Sequence, residues 1–234
     1  IDPYINMAGA IYDCTYAEVN DKQRFVGKQA ILGLGYQMAY KKFMLMVENY
    51  GETITIAEAK KAVSVYRRMH RKVVQLWADM EGAAMMAMNH PGDTIVLNEK
   101  ISFSLDEDYR WLRMHLPSGR CILYYKPVIV NGKFGDCLSY MSMNDKNQYV
   151  RTETYGGKLV ENAVQGICRD LLVLGIRRLI AAGFRVITHV HDEAVTAGQH
   201  RMEEISALLC ELPDWAEGFP LEVDSITSQR YKKA

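Results

Sequence analysis

Between Thr94 and Ser142 lies a stretch rich in β-branched and aromatic residues, with long helically patterned segments on either side, and this order constrains the fold most. Within it, "TIVLNEKISFSL" and "WLRMHLPSGRCILYYKPVIV" read as strands. Pro117-Ser118-Gly119 marks a tight turn, and Asn131-Gly132 marks a second hairpin-type turn. Strands joined by such short turns pair antiparallel, because a parallel pair needs a crossover of a dozen or more residues. Helices first, then strands, then helix, hairpin and helix again place the chain in the α+β class with an antiparallel sheet.

The helical segments can be bounded. Residues 1–20 read as a short helical stretch with Met7, Ala8 and Ile11 as apolar contacts. Residues 22–47 predict one helix, and Gly51 breaks the pattern. Residues 55–90 predict a helical run opened by a Thr55–Glu58 capping box and closed by Pro91-Gly92. Its apolar face is Val63, Tyr66, Val73, Val74 and Trp77. A long helix covers 155–183, two short strands flank His191–Glu193 within 184–198, and a short helix covers 201–212. The tail "FPLEVDSITSQRYKKA" predicts a strand and a basic end.

The formal net charge of the 234 residues is zero, so any site for a polyanion has to come from local clustering. The five cysteines contain no CxxC pair and are odd in number, which favours reduced thiols in a cytoplasm-like compartment over disulfides or zinc. No apolar run approaches the length that spans a bilayer, and no membrane partner is expected.

Three constellations carry candidate chemistry. Arg24, Lys28, Leu32 and Tyr36 are four residues apart, a drift of roughly 40° per step along one helix flank. Two cations and a ring on one flank suit a triphosphate followed by a base. Gly33 and Gly35 in the same helix each cost about 1 kcal/mol relative to Ala, which calls for a close approach by something. The plain alternative is a solvated basic flank with glycines for helix packing. His191, Asp192 and Glu193 sit side by side between apolar residues; clustered acids at a hairpin can hold a divalent cation, or can simply be an exposed polar turn. Lys158, Glu161 and Gln165 share a helix face that begins at Gly156-Gly157. Lys158 could meet a phosphate and Gln165 a groove edge; the alternative is a polar face with an internal ion pair.

The order of these motifs resembles family A DNA polymerases of the bacteriophage type. "RFVGKQAILGLGY" resembles motif B and "VHDE" resembles motif C, with "LPSGR" and "TETYGGKLVENAVQGICRDLL" between them, and the resemblance extends from about Asp2 to Lys233. It implies a partial right-hand polymerase: a helical fingers subdomain over 1–100 with its nucleotide-binding helix at 22–47, and an antiparallel palm sheet with packed helices over 101–234 with the motif C hairpin at 184–198. Arg24 and Lys28 would contact the dNTP triphosphate, with Lys28 also assisting catalysis, and Tyr36 would stack near the templating pair. Leu32 stands where many members carry Phe or Tyr; it keeps an apolar contact and loses the ring, so a different sugar selectivity is expected. Gln37 stands where Gly usually follows the Tyr. Gln165, Lys158 and His191 would contact primer–template DNA. Asp192 would be a ligand of catalytic Mg²⁺, with the catalytic Glu193 in support. The resemblance also implies a first metal-binding Asp, in a motif A upstream of "IDPYINMA". The expectation is a split polymerase or a fragment, in which a second polypeptide or an N-terminal region carries motif A, the thumb and the exonuclease. This chain alone is then not expected to catalyse. The setting implied is the cytoplasm of a phage-infected bacterium. A non-catalytic primer–template DNA-binding subunit of a replication complex is the alternative.

Overall fold

The computed structural model describes residues 2–133, 135–198 and 201–231. Helix α1 (Pro3–Tyr12) begins at Asp2, whose Oδ1 accepts the N–H groups of Tyr4 (2.7 Å) and Ile5 (3.3 Å). Pro3 fills the first helical position, where no N–H is needed. Met7, Ala8 and Ile11 are buried, as their spacing predicts. Helix α2 (Asp21–Leu34) opens with an Asn20–Gln23 capping box and packs along α1. At their crossing a Cβ on Gly27 would lie 2.2 Å from the Tyr4 carbonyl oxygen, so only glycine allows this approach.

Residues 22–47 are two helices rather than one. Helix α2 stops at Leu34, Gln37 takes φ 64°, and α3 (Tyr40–Asn49) starts afresh. The break has a tertiary cause: the Trp77 indole N–H donates to the Gly35 carbonyl (2.8 Å), and the Gln37 side chain is drawn to another helix. Gly33 makes room for Met46, whose Cε would lie 2.6 Å from an added Cβ. That close approach is helix packing, the plain alternative for this glycine.

The 55–90 run is also broken. Helix α4 (Ile56–Met69) starts at the Thr55–Glu58 capping box, with Glu58 N–H to Thr55 Oγ1 at 3.1 Å and Thr55 N–H to Glu58 Oε2 at 2.7 Å. It ends at His70 (φ −110°, ψ 49°), and α5 (Arg71–Asn89) follows. In α5 the buried residues Trp77, Met80, Ala83, Ala84, Ala87 and Met88 recur at three- and four-residue steps, so one stripe meets the core.

Strands β1 (Thr94–Val96), β2 (Ser102–Leu105), β3 (Trp111–His115), β4 (Cys121–Gly132), β5 (Gly135–Met143) and β6 (Tyr149–Glu153) form an antiparallel sheet in sequence order. Phe103, Leu105, Leu112, Met114, Tyr124 and Leu138 are buried, and α5 packs on β1 to β5. Pro127 lies within β4, a strand paired on both sides. A proline there has no N–H to give, and the register shifts between Tyr125 and Val128 to accommodate it. Lys126, just before it, is left-handed at φ 47°, a conformation that costs about 1–3 kcal/mol. It is held by its N–H to the Arg110 carbonyl (2.9 Å) and by Arg151 Nη1 on its own carbonyl (3.2 Å). Asn131 and Gly132 pair with Asp136 and Gly135, so they are strand residues rather than the turn expected from the sequence. Gly135, at φ 112°, supplies the unusual backbone.

Helix α6 (Gly156–Ala181) packs on α5, on β4 and on α7 (Met202–Cys210). Strands β7 (Arg185–Val190) and β8 (Glu193–Ala197) form a separate two-stranded hairpin beside α6. Between Leu221 and Tyr231 no strand forms among the described residues; the expected tail strand is replaced by an irregular segment, tethered by Ser225 to Ser206 (2.9 Å). Lys232, Lys233 and Ala234, the basic end, lie outside the described residues. The fold is α+β, with one continuous core from Met7 to Ala163. Among the described residues no helix is long and apolar enough to cross a membrane.

Candidate functional site

The flank of α2 carries Arg24, Lys28 and Leu32 as spaced, while Tyr36, expected on the same flank, lies in the turn past the helix end because α2 stops at Leu34. The first turn of α1 lies against this flank. Arg24 donates from Nε (2.9 Å) and Nη2 (2.6 Å) to one oxygen of Asp2. The Arg24 guanidinium stands 5.6 Å from the Tyr4 ring centroid and the Lys28 ammonium 5.9 Å from it. Asp2 therefore caps α1 with one oxygen and fixes Arg24 with the other. Partial desolvation pushes the Asp2 pKa up, but the Arg24 hydrogen bond and the Tyr4 and Ile5 N–H groups outweigh it, and the net shift is downward. Lys28 and Leu32 are exposed, Leu32 by 51%. Tyr36 packs on the core, and its pKa is raised by burial first and then by the nearby Glu161. Asp2 and Tyr4 escaped sequence reasoning. The only local signal was the cap-and-proline pair Asp2-Pro3, which predicts a helix start and says nothing about Arg24, 22 residues on.

The second constellation joins the first through the start of α6. Tyr155, its N-cap residue, offers no side-chain cap. The free N–H groups are taken from afar: Gly157 donates to Gln37 Oε1 (2.8 Å) and Gly156 to Glu81 Oε2 (3.2 Å). A Cβ on Gly156 would lie 1.9 Å from the Trp77 carbonyl oxygen, and one on Gly157 would lie 2.6 Å from that of Tyr36. The paired glycines thus seat α6 on α5 and on the turn after α2. Lys158 pairs with Glu161 at 2.9 Å, and Gln165 is exposed. Gln165 lines a groove of about 380 Å³ between α6 and the sheet, with Arg120, Tyr124, Tyr140, Asn162 and Arg169. Asn162 donates to the buried Tyr124 hydroxyl (3.0 Å), and Arg120 is anchored by Asp170 (2.6 Å).

The acidic hairpin stands differently. Val190 pairs with Glu193, so His191 and Asp192 are the two turn residues, with His191 at φ 52° as a tight hairpin requires. Both are exposed and Glu193 is half-buried. These residues stand in an exposed turn, not in a buried strand. β7 is largely exposed, with Ile187 at 58%, so water solvates these groups in place of a buried counter-ion. Glu193 accepts from the Tyr231 hydroxyl at 2.9 Å, and that bond, more than burial, raises the tyrosine pKa. No group of three His, Cys, Asp or Glu side chains able to hold a metal gathers among the described residues. Asp192 and Glu193 bring two adjacent carboxylates to this tip, and one oxygen of Glu193 is already taken by Tyr231.

No family model matches the chain. A DNA polymerase of Bacillus phage SP02 is 32% identical over 243 aligned positions, which take in 97% of this chain and 37% of that protein. The similarity is to a phage DNA polymerase. It runs through the α2 flank, the α6 face and the hairpin alike, and the chain spans little more than a third of that relative's length.

Proposed function

We propose that this chain is the nucleotide-binding and motif C portion of a template-directed DNA polymerase of family A. The similarity to the phage DNA polymerase along nearly the whole chain carries this reading, and the ordered α2 flank gives it a mechanism. In this reading residues 1–100 serve as fingers and 101–234 as palm. The primer 3′-OH attacks the α-phosphate of a dNTP and pyrophosphate leaves. Arg24 and Lys28 draw the triphosphate to α2 and offset its charge, which is the main protein contribution to phosphoryl transfer. Leu32 lies against the sugar and Tyr36 against the templating pair. Gln165 and Lys158 face the primer–template duplex, and His191 the primer end. Asp192, with Glu193 beside it, would hold Mg²⁺, which supplies charge neutralisation for the attacking and leaving oxygens.

Such a site needs a second carboxylate. In this proposal motif A, the thumb and the exonuclease belong to a further segment or a second polypeptide. Primer extension tests the reading. With those parts supplied, Asp192→Ala abolishes synthesis while primer–template binding persists, and Arg24→Ala raises the KM for dNTP. Near-normal synthesis by Asp192→Ala refutes the metal role. Robust Mg²⁺-dependent synthesis by these 234 residues alone refutes the need for a second carboxylate-bearing part.

A further inference from the structure

The face of the six-stranded sheet turned away from α5 carries an aromatic row that the polymerase mechanism leaves unused. Trp111 of β3 lies directly across from Tyr125 of β4, Tyr125 from Met141 of β5, and Met141 from Arg151 of β6. The Trp111 and Tyr125 ring centroids are 4.7 Å apart, and Tyr149 of β6 adds a third ring 6.1 Å from Tyr125. These residues alternate with the buried Leu112 and Tyr124, so they occupy the opposite face. Tyr149 is 54% exposed, and Leu123 and Met143 beside the row are exposed as well.

Cations are set into this row. Lys126 Nζ stands 5.4 Å from the Tyr125 ring centroid. Its left-handed backbone, just before Pro127, is held by Arg110 and Arg151 as described above, and strained residues so held cluster at functional sites. Arg151 and Arg110 are themselves exposed. Of the acids near this face, Asp106 is already bound by Arg113 (2.9 Å), Asp145 neighbours Lys146 in the β5–β6 turn, and Asp108 and Glu153 sit at the margins. The centre of the row therefore has rings and positive charge together.

We propose that this face binds an unpaired nucleic-acid strand, with bases stacked on Trp111, Tyr125 and Tyr149 and phosphates met by Lys126 and Arg151. Single strands fit this chemistry because their bases are free to stack on rings while cations track the backbone. A duplex keeps its bases inside and gains only the charge.

Anisotropy of labelled oligo-dT and oligo-rU with the purified protein tests the proposal, with a blunt duplex as competitor. Tyr149→Ala is expected to weaken binding roughly tenfold with no change in the thermal unfolding midpoint, and Tyr149→Phe to bind normally. Lys126→Ala is expected to lower the slope of log affinity against log salt by about 0.7. The tighter of the two oligonucleotides names the strand. Lys28→Ala, on the α2 flank, is expected to weaken binding of a dNTP titrated alone, so failure of the nucleotide site and failure of this face are read separately. Unchanged affinity in Tyr149→Ala and Lys126→Ala, or equal competition by the blunt duplex, overturns the proposal.

Discussion

Arg24 and Asp192 are both charged residues of the candidate site, and the fold treats them in opposite ways. Arg24 is tied to Asp2 and covered by Tyr4, on a helix pair brought close by Gly27. Asp192 stands at the tip of an exposed hairpin whose strands, among the described residues, pair only with each other. The α1–α2 junction is pre-organised by contacts within this chain. The hairpin has its own ladder, contact with α6 along β7, and the Tyr231–Glu193 bond. Half of the proposed site is therefore rigid here, and the other half relies on whatever packs against β7 and β8.

The largest expected effect separates the two regions by packing. Gly27→Ala places a Cβ where the Tyr4 carbonyl stands, and should cost about 1–3 kcal/mol by overpacking. Ala197→Val, exposed on the hairpin, should move stability by less than about 0.5 kcal/mol. Paired denaturant titrations measure both, and equal costs would remove the contrast. Next, Asp2→Asn keeps an acceptor for the α1 cap while losing the carboxylate that Arg24 needs. It should raise the KM for dNTP in the reconstituted enzyme while leaving the unfolding midpoint close to normal. Asp2→Ala should lower that midpoint too, because α1 loses its cap.

Acid gives a smaller, graded test. Asp2, Glu18 and Glu58 all have lowered pKa values. For Asp2, hydrogen bonds from Arg24 and the α1 N–H groups outweigh desolvation; for the two glutamates the leading cause is a capping-box bond from a threonine N–H. A carboxylate lowered in the folded state stabilises fully above its unfolded pKa and loses that contribution as pH falls through the folded value. Amide exchange in α1 and α4 should therefore accelerate below the usual carboxylate range. The smallest effect is expected at the hairpin tip. His191→Gly relieves a left-handed backbone and should slow exchange in β7 and β8 by roughly two- to fivefold, about 0.5–1 kcal/mol. Faster exchange would mean the His191 side chain holds the turn.

Much of the fold was legible because its signals are local. The Thr55–Glu58 box, the α6 span and the turn at Pro117-Ser118-Gly119 each depend on residues a few positions apart. The break between α2 and α3 was not legible, since its causes are the Trp77 indole and the start of α6. The exposed state of His191 and Asp192 was one of two readings the sequence left open. Flanking valines and alanines predict a buried strand only if another strand or helix covers them.

The sequence by itself determined the α+β class, the Thr55–Glu58 capping box and a hairpin around His191–Glu193, and along nearly its whole length it is similar to a phage DNA polymerase. Only the tertiary structure decided that Asp2 binds Arg24, that Gln37 caps a helix 120 residues away, and that Trp111, Tyr125 and Tyr149 meet on one face. Caps and turns are satisfied within one turn of chain, so the sequence can display them. A hydrogen bond or ring contact between distant segments exists only once packing has brought them together.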